Sequence, residues 1–173
     1  MKLRNFTPTM AAICFLMAFT TLGIGESRAQ EGQPKLTIQM DVTKEAEVRK
    51  DGKWVTEKIP VETSQKGDIL FYTVTYQNDG DTAATDAVIV DPIPVDTVYI
   101  LDSTGGEGAD VLFSVDGGHF YQPPPAKYII RNVDGTREEI IAPPEMYTHI
   151  KWHIQNPVPP GQSGQLYFRV RVK

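Results

Sequence analysis

The amino-acid sequence predicts an all-β protein, an antiparallel sandwich of about seven to nine short strands. Three observations carry this prediction. Apolar and polar residues alternate with a period of two in several segments, which places alternate side chains on opposite faces of a strand. The chain contains 13 prolines and 14 glycines, which punctuate these segments. After residue 29, no segment has a helical period of useful length.

The first 29 residues have the pattern of a secretory signal peptide. Lys2 and Arg4 form a basic start, residues 10–24 are mostly apolar, and small residues stand at positions −3 and −1 of a cleavage site after Ala29. The apolar stretch is short for a membrane span, which needs ~20 residues, so we expect removal rather than a retained anchor. The protein is therefore expected in the periplasm, or secreted to the cell surface.

Removal of residues 1–29 leaves a short polar leader at 30–35 and one domain at 36–173, enough chain for a hydrophobic core. It takes away three of the 17 basic and one of the 22 acidic residues, so the formal charge becomes −7. Such a surface repels phosphate backbones and anionic lipids, which makes nucleic acids and membrane surfaces poor partners. The only cysteine, Cys14, leaves with the signal, so no disulfide and no thiolate chemistry are expected.

Turn residues place the strands along the chain. Asp-Gly at 51–52 and 134–135, and Asp-Gly-Gly at 116–118, lie between strand-like flanks and predict three hairpins, since such turns need residues that tolerate positive φ. Prolines at 123–125 and 143–144 predict connectors outside interior ladders. Alternation in the strands predicts a core of Leu36, Ile38, Met40, Leu70, Tyr72, Val74, Val88, Val90, Trp152, Ile154, Leu166, Phe168, Val170 and Val172.

Two segments carry a family resemblance. In residues 66–94, Gly67-Asp68 precedes a tyrosine-rich alternating strand, and Asn78-Asp79-Gly80 and Asp91-Pro92 follow it; residues 149–173 contain Trp152 and end in Phe-Arg-Val-Arg-Val-Lys. With these motifs the chain resembles the bacterial conserved-repeat family known as domain of unknown function eleven, over roughly residues 60–173. The resemblance implies an immunoglobulin-like sandwich on or near the cell surface, with no established activity and no catalytic residues to carry over.

Candidate metal ligands are few. Asp79, Asp81 and Asp86 are of the type that calcium prefers, but they lack the spacing and the closing Glu of a calcium loop, and turn formation explains them as well. His149 and His153 share one face of a strand, about 13 Å apart, too far to be neighbouring ligands of one ion. A zinc site would need His119 to converge with one of them. We therefore predict no cofactor and no metal.

The sequence does not demand catalysis. Ser, His and Asp all occur, but without a nucleophile elbow. Residues 114–120 partly resemble the Asp-box hairpin of sialidase-type propellers, and we interpret them as a structural hairpin. The sequence thus favours a non-catalytic exported envelope protein, a structural or protein-interaction module with an envelope or surface protein as its partner.

Two alternative functions remain open at this stage. One is an assembly subunit in which residues 169–173 pair with the edge of another chain's sheet. The other is a carbohydrate-binding module, which needs several exposed aromatic side chains in one plane. The candidates for that platform are Trp54, Tyr72, Tyr99, Tyr121, Tyr128 and Tyr167.

Overall fold

A computed structural model describes residues 32–173, and these residues form an antiparallel all-β sandwich, as predicted. The predicted signal peptide and the first two residues of the predicted leader lie outside the described residues. No helix within residues 32–173 is long and apolar enough to cross a membrane. The elements are β1 (Leu36–Lys50), β2 (Lys53–Pro60), β3 (Ile69–Asn78), β4 (Val88–Pro92), β5 (Thr97–Tyr99), β6 (Gly105–Gly106), β7 (Ala109–Ser114), β8 (Lys127–Arg131), β9 (Arg137–Ile141), a 3-10 turn (Pro144–Met146), β10 (His149–Ile154) and β11 (Ser163–Val172).

The described part has more strands than the sequence indicates. Nine of its eleven strands have five or more residues, which matches the upper end of the expected range. The other two, β5 and β6, have three and two residues and pair only with β11. Segments this short cannot display a two-residue period, which is why the sequence pattern does not reveal them.

Two sheets of unequal width form the sandwich. The wider sheet has the order β2-β1-β3-β11-β5, with β6 also paired to β11, and the narrower sheet has the order β4-β10-β7. The hairpin β8-β9 stands apart as a two-stranded sheet. Between the two sheets, the rings of Trp152 and Phe168 lie 6.0 Å apart, and Phe168 stacks on Tyr72 at 4.7 Å. The core therefore lies between β10 on one side and β3 and β11 on the other.

Two of the three predicted hairpins are confirmed. β1 and β2 pair up to Lys50 and Lys53, and the turn residues Asp51 and Gly52 have φ values of 49° and 80°. β8 and β9 pair on either side of the 134–135 turn. The third, around residues 116–118, is only partly present, because the outgoing segment forms no strand and makes a single bridge, between Phe113 and Gln122. The prolines at 123–125, which cannot donate to a ladder, follow directly.

The predicted core is right for the central strands and wrong at four positions. Leu70, Val74, Ile154, Leu166 and Val170 are buried, as are Trp152 and Phe168. Leu36, Tyr72 and Val172 are only partly buried. Exposed instead are Ile38, Met40, Val88 and Val90.

These four errors have two physical causes. In β4 the phase is reversed, because Ile89 and Asp91 point inward and Val88 and Val90 point to solvent. In β1 the phase is right: Ile38 and Met40 are opposite Tyr76 and Val74, on the core-facing side. They stay exposed because the narrower sheet ends before it reaches them.

Candidate functional site

The most distinctive surface of the described chain is the free edge of β4. Tyr99 of β5 packs on Phe113 of β7 at 5.1 Å, so β7 lies over the β5 side of the wider sheet. β4, at the opposite edge of the narrower sheet, therefore lies toward β1. The wider sheet continues outward past β4 through β1, while β2 pairs only with residues 43–50 of β1. This leaves a groove with β4 as its wall and the inner face of β1 as its floor, which we call the β4 groove.

The wall of the β4 groove offers unused backbone groups. Ile154 N–H donates to Ala87 O and Ile93 N–H donates to Thr148 O, so the odd-numbered residues of β4 face β10. Hydrogen bonding alternates along an antiparallel strand, and Val88 and Val90 therefore turn their N–H and C=O groups outward. No strand among residues 32–173 pairs with that side. This is a ready template for an additional strand.

The rim and floor of the β4 groove are apolar. Ile38 is 51% exposed and Met40 44% exposed on the floor, and Val88 is 52% and Val90 47% exposed along the wall. Scattered exposed apolar residues are ordinary. Ile38 and Met40, however, are neighbours on the uncovered inner face of β1, beside the open backbone groups of β4, whereas Val88 and Val90 point to the outer face of the narrower sheet. Neighbouring apolar side chains next to unpaired backbone groups indicate an interaction site. A strand added to β4 would place alternate side chains over Ile38 and Met40 and remove them from water.

The groove also has a strong charge bias. Residues 79–96, which contain β4 and its flanks, include five aspartates, and the chain has no Lys or Arg between residues 67 and 126. Two nearby cations are already engaged. Lys44 Nζ lies 2.9 Å from Asp68 Oδ2 and 2.8 Å from Thr63 O, and Lys151, opposite Val90, has its Nζ 4.1 Å from the centroid of the Tyr121 ring. The local field is therefore negative and favours a positively charged partner.

One of these aspartates is buried without a partner. Asp91 points from β4 toward Tyr72, and its Oδ2 has no hydrogen-bond partner among the described residues. Burial raises the pKa of this carboxyl to about 6, because the charged form is costly away from water. Burial, and then the nearby charge of Asp91, raise the pKa of Tyr72. Asp91 therefore destabilises the fold at neutral pH.

We expect Asp91→Asn to stabilise the protein by about 1–3 kcal/mol at pH 7 and to have little effect near pH 4. Because the folded-state pKa is raised, the folded protein holds the proton more tightly, so wild-type stability falls as pH rises from about 4 through 6. Urea denaturation at several pH values measures this. Asp96→Asn, at an exposed site in the loop that follows β4, is the control. Parallel pH curves for wild type and Asp91→Asn would contradict the prediction.

The candidate metal ligands do not form a group of three. Within residues 32–173 no three His, Cys, Asp or Glu side chains are placed to hold an ion. Asp79 accepts a hydrogen bond from Thr37 Oγ1, and Asp86 adopts a positive φ of 52°, as turn residues do. His149 lies beside Thr148 and His153 beside Gln155, at different points along β10, and His119 Nδ1 contacts the backbone carbonyl of Asp116.

The Ser114–Asp116 hairpin has a clear internal role. Ser114 Oγ donates to Asp116 Oδ1 at 2.7 Å and accepts from Gly118 N–H at 2.9 Å. The same carboxylate oxygen accepts from His119 N–H and Phe120 N–H, and these bonds lower the pKa of Asp116. The polar groups of the motif thus form hydrogen bonds that stabilise the turn.

The aromatic residues do not form the platform that a planar carbohydrate site needs. Tyr99 is buried, and Tyr72, Tyr121 and Tyr128 are only partly exposed. Trp54 and Tyr167 are exposed, but Trp54 lies near the tip of the β1–β2 hairpin, opposite Arg49, and Tyr167 lies in β11, opposite Thr73. Trp54 and Tyr167 lie three strands apart in the wider sheet, and they are also far apart along the strand direction.

A cavity of about 420 Å³ opens between β5, β7 and the β8–β9 hairpin. Its floor is the aromatic cluster of Tyr99, Phe113 and Tyr147. Both tyrosine hydroxyls are engaged internally, as Tyr99 accepts from Thr104 Oγ1 and Tyr147 accepts from Ala126 N–H. The cavity offers apolar surface rather than converging reactive groups.

Residues 169–173, the candidate segment for strand donation, pair within the chain's own wider sheet. β11 pairs with β3 along most of its length, and Val170, Arg171 and Val172 pair with β5. Val170 is fully buried. Donation by residues 169–173 would therefore remove part of the chain's own core.

Sequence analysis did not identify β4 as an open edge strand, although one signal was present. Pro92 lies within a strand, and proline is confined to edge strands because it cannot donate to a ladder. A comparison of the chain with models of protein families, with curated proteins and with solved structures finds no match in any of the three. The resemblance to the conserved-repeat family thus stays a prediction.

Proposed function

We propose that this protein is a non-catalytic module of the bacterial cell envelope that binds another protein by accepting a strand at its β4 edge. Its export rests on the signal-peptide pattern of residues 1–29. The observation that carries the binding proposal is the β4 groove, where open backbone groups of Val88 and Val90 stand beside the exposed side chains of Ile38 and Met40.

The two parts of the groove supply the two components of strand addition. Main-chain hydrogen bonds to an edge strand contribute affinity, and apolar contacts of alternate side chains contribute specificity. Ile38 and Met40 are each about half exposed, so covering both contributes about 2 kcal/mol. A partner strand would widen the narrower sheet from three strands to four and bring its width closer to that of the other sheet.

Val90→Pro tests the proposal directly. Proline at this position removes an N–H that faces the open edge, and it leaves the hydrogen bonds of β4 to β10 in place. Val90→Thr is the matched control, because it keeps the N–H and a β-branched side chain. We expect the wild-type protein and Val90→Thr to capture the same partner from envelope extract, and Val90→Pro to lose it by at least about tenfold.

Denaturation curves must first show that both variants are folded. A partner captured equally well by Val90→Pro would contradict strand addition at β4. Recovery of the wild-type protein with no partner at all would count against a protein-interaction module.

A further inference from the structure

We propose that the β4 groove accepts a single extended, positively charged segment of another protein, in which apolar and basic residues alternate. This inference rests on the proposed function and specifies its partner. It excludes a second copy of this sandwich as the occupant. Three features of the described residues support it: the overhang of the wider sheet, the charge of the edge, and the alternating surfaces of the groove.

The overhang limits what can fit. Beside Ile38 and Met40 the wider sheet extends beyond β3 by one strand, β1, about 5 Å at ~4.8 Å per strand, because β2 pairs only with residues 43–50 of β1. The exposure of Ile38 and Met40 shows that this part of the layer has no cover among the described residues. A strand next to β4 lies directly above β1. It can have no second layer of its own beneath it, because β1 already occupies that layer.

A second copy of the sandwich does not fit beside β4. Pairing two β4 edges antiparallel requires a two-fold axis perpendicular to the sheets. Each copy's β1 would then extend into the layer, and the space, that the wider sheet of the other copy already fills. One strand, without an attached sandwich, avoids the collision.

The charge of the β4 edge also argues against a second copy as the occupant. Two β4 edges would bring together two sets of five aspartates from residues 79–96, which outnumber the neighbouring cations of each copy, Lys151 opposite Val90 and Lys173 beside Val95. Like charges in juxtaposition are unfavourable, whereas opposite charges across an interface raise the association rate and select the partner. Asp86 and Asp96 lie on either side of β4 and are exposed. Lys173 Nζ donates to Val95 O at the Asp96 end, so the Asp86 end attracts basic side chains more strongly.

The two surfaces of the groove set the residue pattern of the partner. Side chains that point inward from an added strand meet Ile38 and Met40 and need to be apolar. Side chains that point outward lie beside Val88 and Val90, in solvent and within the field of the flanking aspartates. A period of two in which apolar residues alternate with Lys or Arg satisfies both surfaces.

Fluorescence anisotropy with labelled peptides of about eight residues tests this pattern on the exported protein. One peptide alternates valine with lysine, a second alternates valine with glutamate, and a third contains the residues of the first in an order without alternation. We expect the valine–lysine peptide to bind at least about tenfold more tightly than either of the others and to weaken as salt is added. Val90→Pro should abolish this binding, and Val90→Thr should retain it.

The outcomes separate the inference from the proposed function. Equal binding of the glutamate and lysine peptides, both lost in Val90→Pro, would overturn the charge assignment and leave strand addition standing. Lysine-peptide binding that Val90→Pro does not change would overturn the inference, because it reports attraction to an acidic surface only. A dimer in sedimentation experiments that Val90→Pro dissociates would show that a second copy is the occupant and would also overturn it.

Discussion

Replacing Trp152 by alanine is expected to lower the free energy of unfolding by about 3–5 kcal/mol. Trp152 is fully buried in β10, where it is opposite Ile89 of β4 and Val111 of β7, and its ring lies 6.0 Å from that of Phe168. Its removal opens a cavity at the centre of the sandwich. The indole N–H has no hydrogen-bond partner among the described residues, so losing it offsets part of the cost and places the effect in the lower half of that range.

Urea or thermal denaturation measures this loss, and Tyr167→Ala is the matched control. Tyr167 is adjacent to Phe168 in β11 but points to the other face and is 53% exposed. We expect its replacement to cost no more than about 1 kcal/mol. Equal losses for Trp152→Ala and Tyr167→Ala would show that the core does not lie between β10 and β11.

Asn78→Ala is expected to cost about 3–5 kcal/mol, a large loss for a polar residue. The side chain is fully buried and makes four hydrogen bonds. Its Nδ2 donates to Thr82 O at 2.7 Å and to Val158 O at 2.8 Å, and its Oδ1 accepts from Lys35 N–H at 3.1 Å and Gly80 N–H at 3.0 Å. Alanine leaves all four backbone groups without this partner, and buried unpaired groups carry the full desolvation cost.

The neighbouring residue provides the control for Asn78. Gln77 is exposed on the outer face of β3, and Gln77→Ala should change stability by less than about 0.5 kcal/mol. Because Asn78 joins the start of β1 to the β3–β4 loop and to the loop before β11, Asn78→Ala should also speed amide exchange at Gly80 and Lys35. Unchanged exchange at both sites would argue that these hydrogen bonds do not hold the loops.

Local sequence patterns predicted the inward faces of β3, β10 and β11 correctly because each of these strands has one face toward the core and one face toward solvent. In β10, Ile150, Trp152 and Ile154 alternate with His149, Lys151 and His153, and only one phase can bury the apolar set. Asp51-Gly52 was predictable for a different reason, since both positions need positive φ. Neither inference needs knowledge of the rest of the chain.

The β4 groove was not predictable in the same way. Residues 88–93 are apolar at both phases except at Asp91, so the local pattern cannot say which valines or isoleucines face inward. The sequence of β1 does predict its inner face, and Ile38 and Met40 do lie on it. Whether an inner face is covered depends on the width of the opposite sheet, which is set by strand pairings far apart in the chain.

The sequence by itself determined the all-β class, the confirmed turns and the inward faces of the central strands, because these depend on side-chain alternation and on the φ angles that individual residues tolerate. Only the tertiary structure decided that a six-stranded sheet packs on a three-stranded one, that β4 forms an open edge, and that Asp91 is buried. The physical reason is that coverage and desolvation are properties of the packed layers. A residue's neighbours in sequence do not report how far the opposite layer extends.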